Sequence, residues 1–406
     1  MLPTSANNYD IIVDSADSIQ EAINNASEGQ TIYIKKGEYV IAGERGIDVN
    51  KTITLLGENV NETIIDGNGA VTTILNILTN RVEIQNLTIR NPETGFYLCA
   101  GIRIKDATNV KIQNCHIKNC PTGVILTNST HCEISRNLIT NNTAYGIYFV
   151  ASSSNNTIFW NTIRNNTRAV SIEYVDSRKN MFYQNNFVQN TFQPSGLGVS
   201  ANLWNTTYPA GGNYWSNYTH NDVKKGPYQS ETGSDGIGDK PYEILPGVND
   251  SYPIMGPVHY FDAYHCESTD YYTLVSSNIT DASPSNFHFD SNEAFINFTL
   301  TGNNETGFCR VTIPNQLLWA EDGWVVTIDN KPTNHTVMWD TNYTYVCFAY
   351  NYSNTKTIKI EGTHCIPEFS SPNILLFAVT TIIVFVILKI TKINALLPSR
   401  SKFQKA

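Results

Sequence analysis

The order of apolar and polar residues along this chain has a period. Between Val82 and Asn190 one unit recurs: VEIQNLTIRN (82–91), VKIQNCHIKN (110–119), CEISRNLITN (132–141), NTIFWNTIRN (156–165) and NMFYQNNFVQN (180–190). Each unit has an apolar anchor near its start (Ile84, Ile112, Ile134, Ile158, Phe182). A second anchor follows it (Ile89, Ile117, Ile139, Ile163, Phe187). Before most units stands a short alternating run: Gly101-Ile-Arg-Ile, Gly123-Val-Ile-Leu, Gly146-Ile-Tyr-Phe and Ala169-Val-Ser-Ile. These runs start 22, 23 and 23 residues apart. Alternation of period two predicts strands. Two or three short strands per unit, with no helix signal, predict one coil of a parallel β-helix. Coils stack at about 4.8 Å, so equivalent side chains form ladders.

The ladders account for the most unusual feature of the composition, 48 Asn in 406 residues. Asn137, Asn161 and Asn185 share one register, and Asn119, Asn141 and Asn165 another. Stacked amides can hydrogen-bond from coil to coil, and Asn tolerates left-handed corners, so these Asn read as structural. Segments such as TIYIKKGEYVI and GIDVNKTITLLG read as less regular first coils. Ser18-Ile-Gln-Glu21 is a capping box, and Ile19, Ala22, Ile23 and Ala26 share a helical face. Residues 1–30 therefore predict a strand and a helix covering the open end of a β-helix over 31–190.

Beyond the coils, residues 191–257 hold Trp204, Tyr214, Trp215 and Tyr218 among Gly and Pro, and predict an aromatic capping segment. Alternating stretches at 258–366 (FINFTL, CRVTIP, WVVTID, YVCFAY, TIKIEG) predict a small antiparallel β-sandwich. After a linker at 367–373, the run from Ile374 to Leu388 is apolar throughout and predicts a transmembrane helix over 374–393. The tail at 394–406 is basic, which places it in the cytoplasm and the rest of the chain outside. The expected class is all-β with one C-terminal membrane helix. MLPTSANNYD has neither a basic nor an apolar signal region, so the export signal is expected to lie upstream or to have been removed.

Charge narrows the function. With 27 Lys+Arg against 36 Asp+Glu, a net charge of −9 and no basic cluster, nucleic-acid binding is excluded. Seventeen Asn-x-Ser/Thr sites lie between Asn25 and Asn351, among them Asn86, Asn128, Asn217, Asn278, Asn297 and Asn342. They are candidate glycosylation sites on an outward-facing chain.

Residues 11–255 resemble NosD-like, CASH-type right-handed parallel β-helix proteins. The resemblance is carried by SIQEAINNASEGQTIYIKKGEY, TLLGENVNETIIDGNG, the NTIxxNxIxNN coils, and Gly212-Asn-Tyr-Trp-Ser-Asn-Tyr followed by Asp235-Gly-Ile-Gly-Asp-Lys-Pro-Tyr242. The last pair is typical of archaeal surface members. Residues 258–366 are similar to the membrane-proximal β-domain beside such β-helices, and Ile366-Pro-Glu-Phe369 resembles a PEF-type sorting signal.

Candidate chemistry is sparse. Eight Cys split into Cys99, Cys115, Cys120 and Cys132 in the coils and Cys266, Cys309, Cys347 and Cys365 beyond them. Even counts outside the cell predict disulfides, with Cys266–Cys365 and Cys309–Cys347 preferred in the second domain. On the alternating runs the outward residues are expected to be Arg103, Lys105, Ile125, Thr127, Tyr148, Val150, Ser171 and Glu173. No two carboxylates stack there, as a polysaccharide lyase, epimerase or hydrolase would need. Arg103, Tyr148 and Glu173 are left as a shallow binding patch. The family's namesake assists copper-site maturation, but the eight His are scattered and copper wants clustered His, Cys or Met. The family's closing segment often carries an aspartate-rich calcium loop, which here leaves Asp235 and Asp239 as candidate Ca²⁺ ligands. The reading with fewest unmet needs is non-catalytic binding of a glycan or envelope polymer, or a structural role at the cell surface.

Overall fold

Short strands wind around one apolar core in three parallel sheets. The computed structural model describes residues 9–41, 45–266, 271–280, 282–302, 306–351 and 355–365, the side chains of 264–266, 271–276 and 278 apart. The first face has eight strands, from Ile11–Val13 to Met181–Tyr183. The second has eight, from Gly37–Val40 to Tyr214–Trp215, and the third has six, from Ile47–Val49 to Arg168–Ile172. Each strand pairs in parallel with its equivalents one coil away: Ile112 lies between Ile84 and Ile134, and Ile117 between Ile89 and Ile139. These isoleucines are fully buried, which stabilises the fold by roughly 2 kcal/mol each. Toward the C-terminal end the columns widen into aromatics. Phe182 stacks on Trp204 and Phe187 on Trp215, both at 4.3 Å, and Tyr242 stacks on Trp215. At the other end the helix Ile19–Asn25 buries Ile19 and Ile23, and the Ser18 hydroxyl accepts from the Glu21 amide at its start.

The corners between strands contain a large share of the buried polar groups of the β-helix. Asn161 Nδ2 donates to Asn185 Oδ1 (3.0 Å) and to Ile134 O (2.7 Å), and Asn161 Oδ1 accepts from both Asn137 N and Asn137 Nδ2. The same reciprocal pattern links Asn142, Asn166 and Asn190 at the next corner, and Asn156, Asn180 and Asn202 at the third. Each ladder begins on a cysteine: the amides of Cys115, Cys120 and Cys132 donate to Asn137, Asn142 and Asn156. The register puts Leu87 below Cys115 and Val110 below Cys132, so each column passes from apolar residue to thiol to amide. The first ladder ends on Asp250, whose Oδ2 accepts from Asn213 N at 2.7 Å. A Cβ on Gly212 would stand 1.9 Å from that carboxylate, which is why the GNYW motif opens on glycine.

The expected second register is present at left-handed corners, but it is not the one whose side chains hydrogen-bond from coil to coil. Asn119, Asn141 and Asn165 are exposed, with φ between 53° and 56°, and the ladder runs one residue later, through Cys120, Asn142 and Asn166. The left-handed residue makes the turn, and its successor points inward to satisfy the backbone.

After the coils come two five-stranded antiparallel sheets around a second core that includes Ile296, Phe298, Cys309, Val311, Phe348 and Ile358. They are tied to the β-helix by polar contacts. Asn186 accepts from Val258 N (2.7 Å) and donates to Val258 O, Tyr260 Oη donates to Arg136 O, and the buried Arg310 guanidinium donates to Pro209 O. The transmembrane helix expected at 374–393 lies outside the described residues, as does the Ile366–Phe369 signal. Among the described residues no helix is long and apolar enough to cross a membrane.

Asn161→Leu strips the Asn137 amide and side chain of their shared acceptor, and is expected to cost about 3 kcal/mol. Asn165→Gly, at an exposed left-handed corner, should stay within about 0.5 kcal/mol of wild type. Urea unfolding midpoints compare the two.

Acid-base linkage supplies a second test. Burial pushes the Asp250 carboxyl up to about 7 and that of Asp222 up to about 6, against the N–H donors that hold them down. Between pH 4 and these values the folded state keeps protons that the unfolded state releases, so these groups lower stability as pH rises. His116, pushed by burial down to about 4, acts oppositely, because there the unfolded state holds the extra proton until pH exceeds its ordinary 6.5. The cost of Asp250→Asn, read from unfolding midpoints, should therefore shrink as pH rises from 4 to 7.5.

Candidate functional site

Among the described residues, the third face is the β-helix face with long strands. Those at Ala100–Lys105, Thr122–Thr127 and Tyr145–Val150 each have six residues, against three for their neighbours on the other faces. Gly101, Gly123 and Gly146 stand in one row near the start of these strands, where a side chain would have no room. A Cβ on Gly123 would meet Gly146 O at 2.6 Å and the Ile139 side chain at 2.8 Å.

Two outward rows cross this face. One passes from Asp48 through Asn76, Arg103, Ile125 and Tyr148 to Ser171, and the other from Thr73 through Ala100, Thr122 and Tyr145 to Arg168. The expectation that the first row faces solvent is corrected by its burial: Ile125 is 1% exposed, Tyr148 6% and Ser171 1%. The cover is the loop at 91–99. Its backbone is pinned by Thr122 Oγ1, which donates to Tyr97 O (2.6 Å), and by the Arg103 guanidinium, which donates to Leu98 O (2.5 Å). The Tyr97 ring stands edge-on to both Tyr145 and Tyr148, which stack on each other at 4.5 Å. Arg168 lies over Tyr145 and over Phe192, at 5.9 and 5.1 Å from the ring centroids. Phe96, Tyr97, Tyr174 and Phe192 remain exposed. The product is an aromatic shelf with a cation at one edge.

The structure does not bring Arg103, Tyr148 and Glu173 together as one polar patch. Arg103 and Tyr148 are two coils apart in their row, with Ile125 between them. Glu173 instead accepts from the Ser171 hydroxyl (2.8 Å). The residues missed by sequence reading are Tyr97, Tyr145, Arg168 and Phe192. One signal was present: from Val82 to Val110 the period stretches to 28 residues, and the surplus is the covering loop.

The expected calcium ligands also diverge. Asp235 is buried and accepts from Gly226 N, Gln229 Nε2 and Ile237 N, whereas Asp239 accepts from Val223 N and Lys224 N. Their oxygens accept from different backbone segments, so each carboxylate has its own set of protein donors. Among the described residues no three His, Cys, Asp or Glu gather as a metal site, and copper finds no cluster of the soft donors it prefers.

The expected disulfides are corrected in the same way. Cys99, Cys115, Cys120 and Cys132 are free and buried, the last three starting separate ladders. Cys309 and Cys347 are free too. Cys309 pairs with Phe348 and Cys347 with Arg310, so the two thiols point to opposite faces of their sheet. A pairing of Cys266 with Cys365 turns on a side chain outside the described residues. Of the glycosylation candidates, Asn128, Asn217 and Asn342 are exposed, Asn86 and Asn297 are half-buried, and the Asn278 side chain lies outside the described residues.

Comparisons with known proteins follow this geometry. The family described as periplasmic copper-binding protein (NosD) matches residues 5–220, just over half the chain. No curated protein matches. Among solved structures the chain is similar to Escherichia coli ybhc, with 15% identity over 52% of this chain and 72% of that one, at a TM-score of 0.33. It is also similar to a pectin methylesterase from Aspergillus niger (16%, 49% and 72%, 0.29) and to ORF18 of Geobacillus virus E2 (11%, 75% and 74%, 0.31). Superpositions this weak carry no argument about this chain.

Burial pushes the Cys115 and Cys347 thiols up to about 12 and Cys132 up to about 11. Native protein should accordingly leave Cys115, Cys120, Cys132, Cys309 and Cys347 unmodified by a thiol reagent. All five should become reactive on unfolding without any reductant, as read by mass spectrometry.

Proposed function

Because the chain belongs to the NosD family, we propose that it works outside the membrane as a non-catalytic surface protein that binds a glycan or envelope polymer. The observation carrying this reading is the aromatic shelf. Flat, partly exposed Tyr and Phe faces can take the apolar faces of sugar rings, and a cluster of exposed aromatics this size marks an interaction site. Arg168 at the edge can donate to hydroxyl or acidic groups of the polymer. Two carboxylates do not converge on the shelf, so the reading needs no bond-breaking step.

In the same proposal the helix at 374–393 anchors the protein, with its basic tail in the cytoplasm and the two β-domains outside, in the manner of archaeal surface proteins. Glycans would sit at Asn128, Asn217 and Asn342. The copper in the family's description is not carried over, because the described residues offer it no donor cluster.

A glycan-array screen of the full-length protein, with mass spectrometry of every polymer offered, tests the reading. Binding should occur without new reducing or unsaturated ends. Tyr97→Ala and Phe192→Ala should each weaken it roughly tenfold while leaving the unfolding midpoint within about 1 kcal/mol of wild type. Cleavage or epimerisation of any polymer would replace this reading with an enzyme.

A further inference from the structure

The second β-domain has a feature that a spacer does not need. A groove of about 660 Å³ opens on it, lined by Trp319, Trp324, Trp339, His335, Glu321 and Asn315 among others. Half of the chain's six Trp line this one groove. Trp204 and Trp215 are buried in the β-helix plug, but Trp319 is 47% exposed and Trp339 73%. Indole carries the largest apolar surface of any side chain, and leaving two of them in water is unfavourable unless something covers them.

The polar groups around the indoles narrow what that is. His335 Nδ1 lies 3.1 Å from Thr333 O, and a carbonyl partner places the ring proton on Nδ1 and leaves Nε2 as an acceptor. Asn315 is held in place: its Nδ2 donates to Asp340 O and its Oδ1 accepts from the Thr344 hydroxyl. Glu321 is exposed at the rim beside Asp322, and among the described residues neither Lys nor Arg lines the groove. An acidic rim without a cation repels anionic polymers and anionic lipid headgroups alike. The site is concave, where an aromatic membrane anchor would protrude. Apolar walls with a few fixed acceptors suit a ligand that is apolar on its faces and hydroxylated at its edges.

We propose that this groove is a second saccharide site, taking a short stretch of a neutral oligosaccharide between Trp319, Trp324 and Trp339, with Glu321 and His335 accepting from its hydroxyls. The membrane-proximal domain is then a binding module in its own right. This inference stands apart from the shelf on the β-helix and does not need that shelf to bind anything.

The test titrates the full-length protein in detergent with cellohexaose, mannohexaose, xylohexaose and chitohexaose, following tryptophan fluorescence and calorimetric heat. At least one should shift the emission and bind. Trp339→Ala and, separately, Trp319→Ala should weaken that binding at least tenfold, with circular dichroism unchanged. Tyr97→Ala on the shelf should leave it within twofold. The proposal is overturned if all four sugars are silent, or if binding is lost with Tyr97→Ala and kept in both tryptophan variants. Detergent-free protein that instead shifts its emission on neutral phosphatidylcholine vesicles, through the same two tryptophans, would also overturn it and make the groove a lipid contact.

Discussion

Everything in the β-helix depends on satisfying the backbone at its inward corners. A coil of two or three short strands turns sharply several times, and each turn leaves an amide inside the core that no strand partner can reach. Such a group costs roughly 1–3 kcal/mol if left unpaired. Asn solves the problem by reciprocity: Oδ1 accepts the amide of the coil below while Nδ2 donates to the coil above. The arrangement works only if successive corners superimpose, so the ladders hold the coil period as firmly as the isoleucine columns do. It also needs a terminus. Asp250 supplies one by accepting from Asn213 N, Trp215 Nε1 and Tyr252 N, which fixes the capping segment to the last coil.

The same constraint shapes the surface. Where the ladders set tight corners, the first and second faces have three-residue strands with little room for a site. The third face escapes because its strands are longer, and a glycine row near their start leaves room for the next coil's carbonyl. The coil lengthened between Val82 and Val110 folds its surplus over that face, replacing an open polar sheet with an aromatic shelf whose ionisable groups are separated. Arg103, which sequence alone offers as a binding group, holds the loop in position instead.

Between the two β-domains several contacts are directional. Asn186 exchanges two hydrogen bonds with Val258, and Arg310 is buried between Pro209 O and the Tyr345 ring. Buried polar contacts of this type specify one arrangement, because a misplaced partner leaves a desolvated charge or amide unpaired. The β-domain thus sits against the aromatic plug in a defined orientation.

Periodicity in the sequence was enough to determine the all-β class, the coil, the inward isoleucines and the ladder through Asn137, Asn161 and Asn185, because equal spacing and a shared side-chain chemistry are both local properties. It found the left-handed register of Asn119, Asn141 and Asn165 but not the hydrogen-bonded ladder one residue later, since the exposed Asn and the inward Asn are adjacent and chemically identical. It missed the third ladder through Asn156, Asn180 and Asn202 as well. Which face was covered, whether Cys309 could reach Cys347, and which amides Asp235 and Asp239 accept from were decided only by tertiary structure. Each depends on a loop crossing a sheet, on the side of a strand a thiol occupies, or on which distant amides claim a carboxylate. The three tryptophans of the groove follow the same logic: they lie on separate segments, and only the packing of those segments puts the indoles around one space.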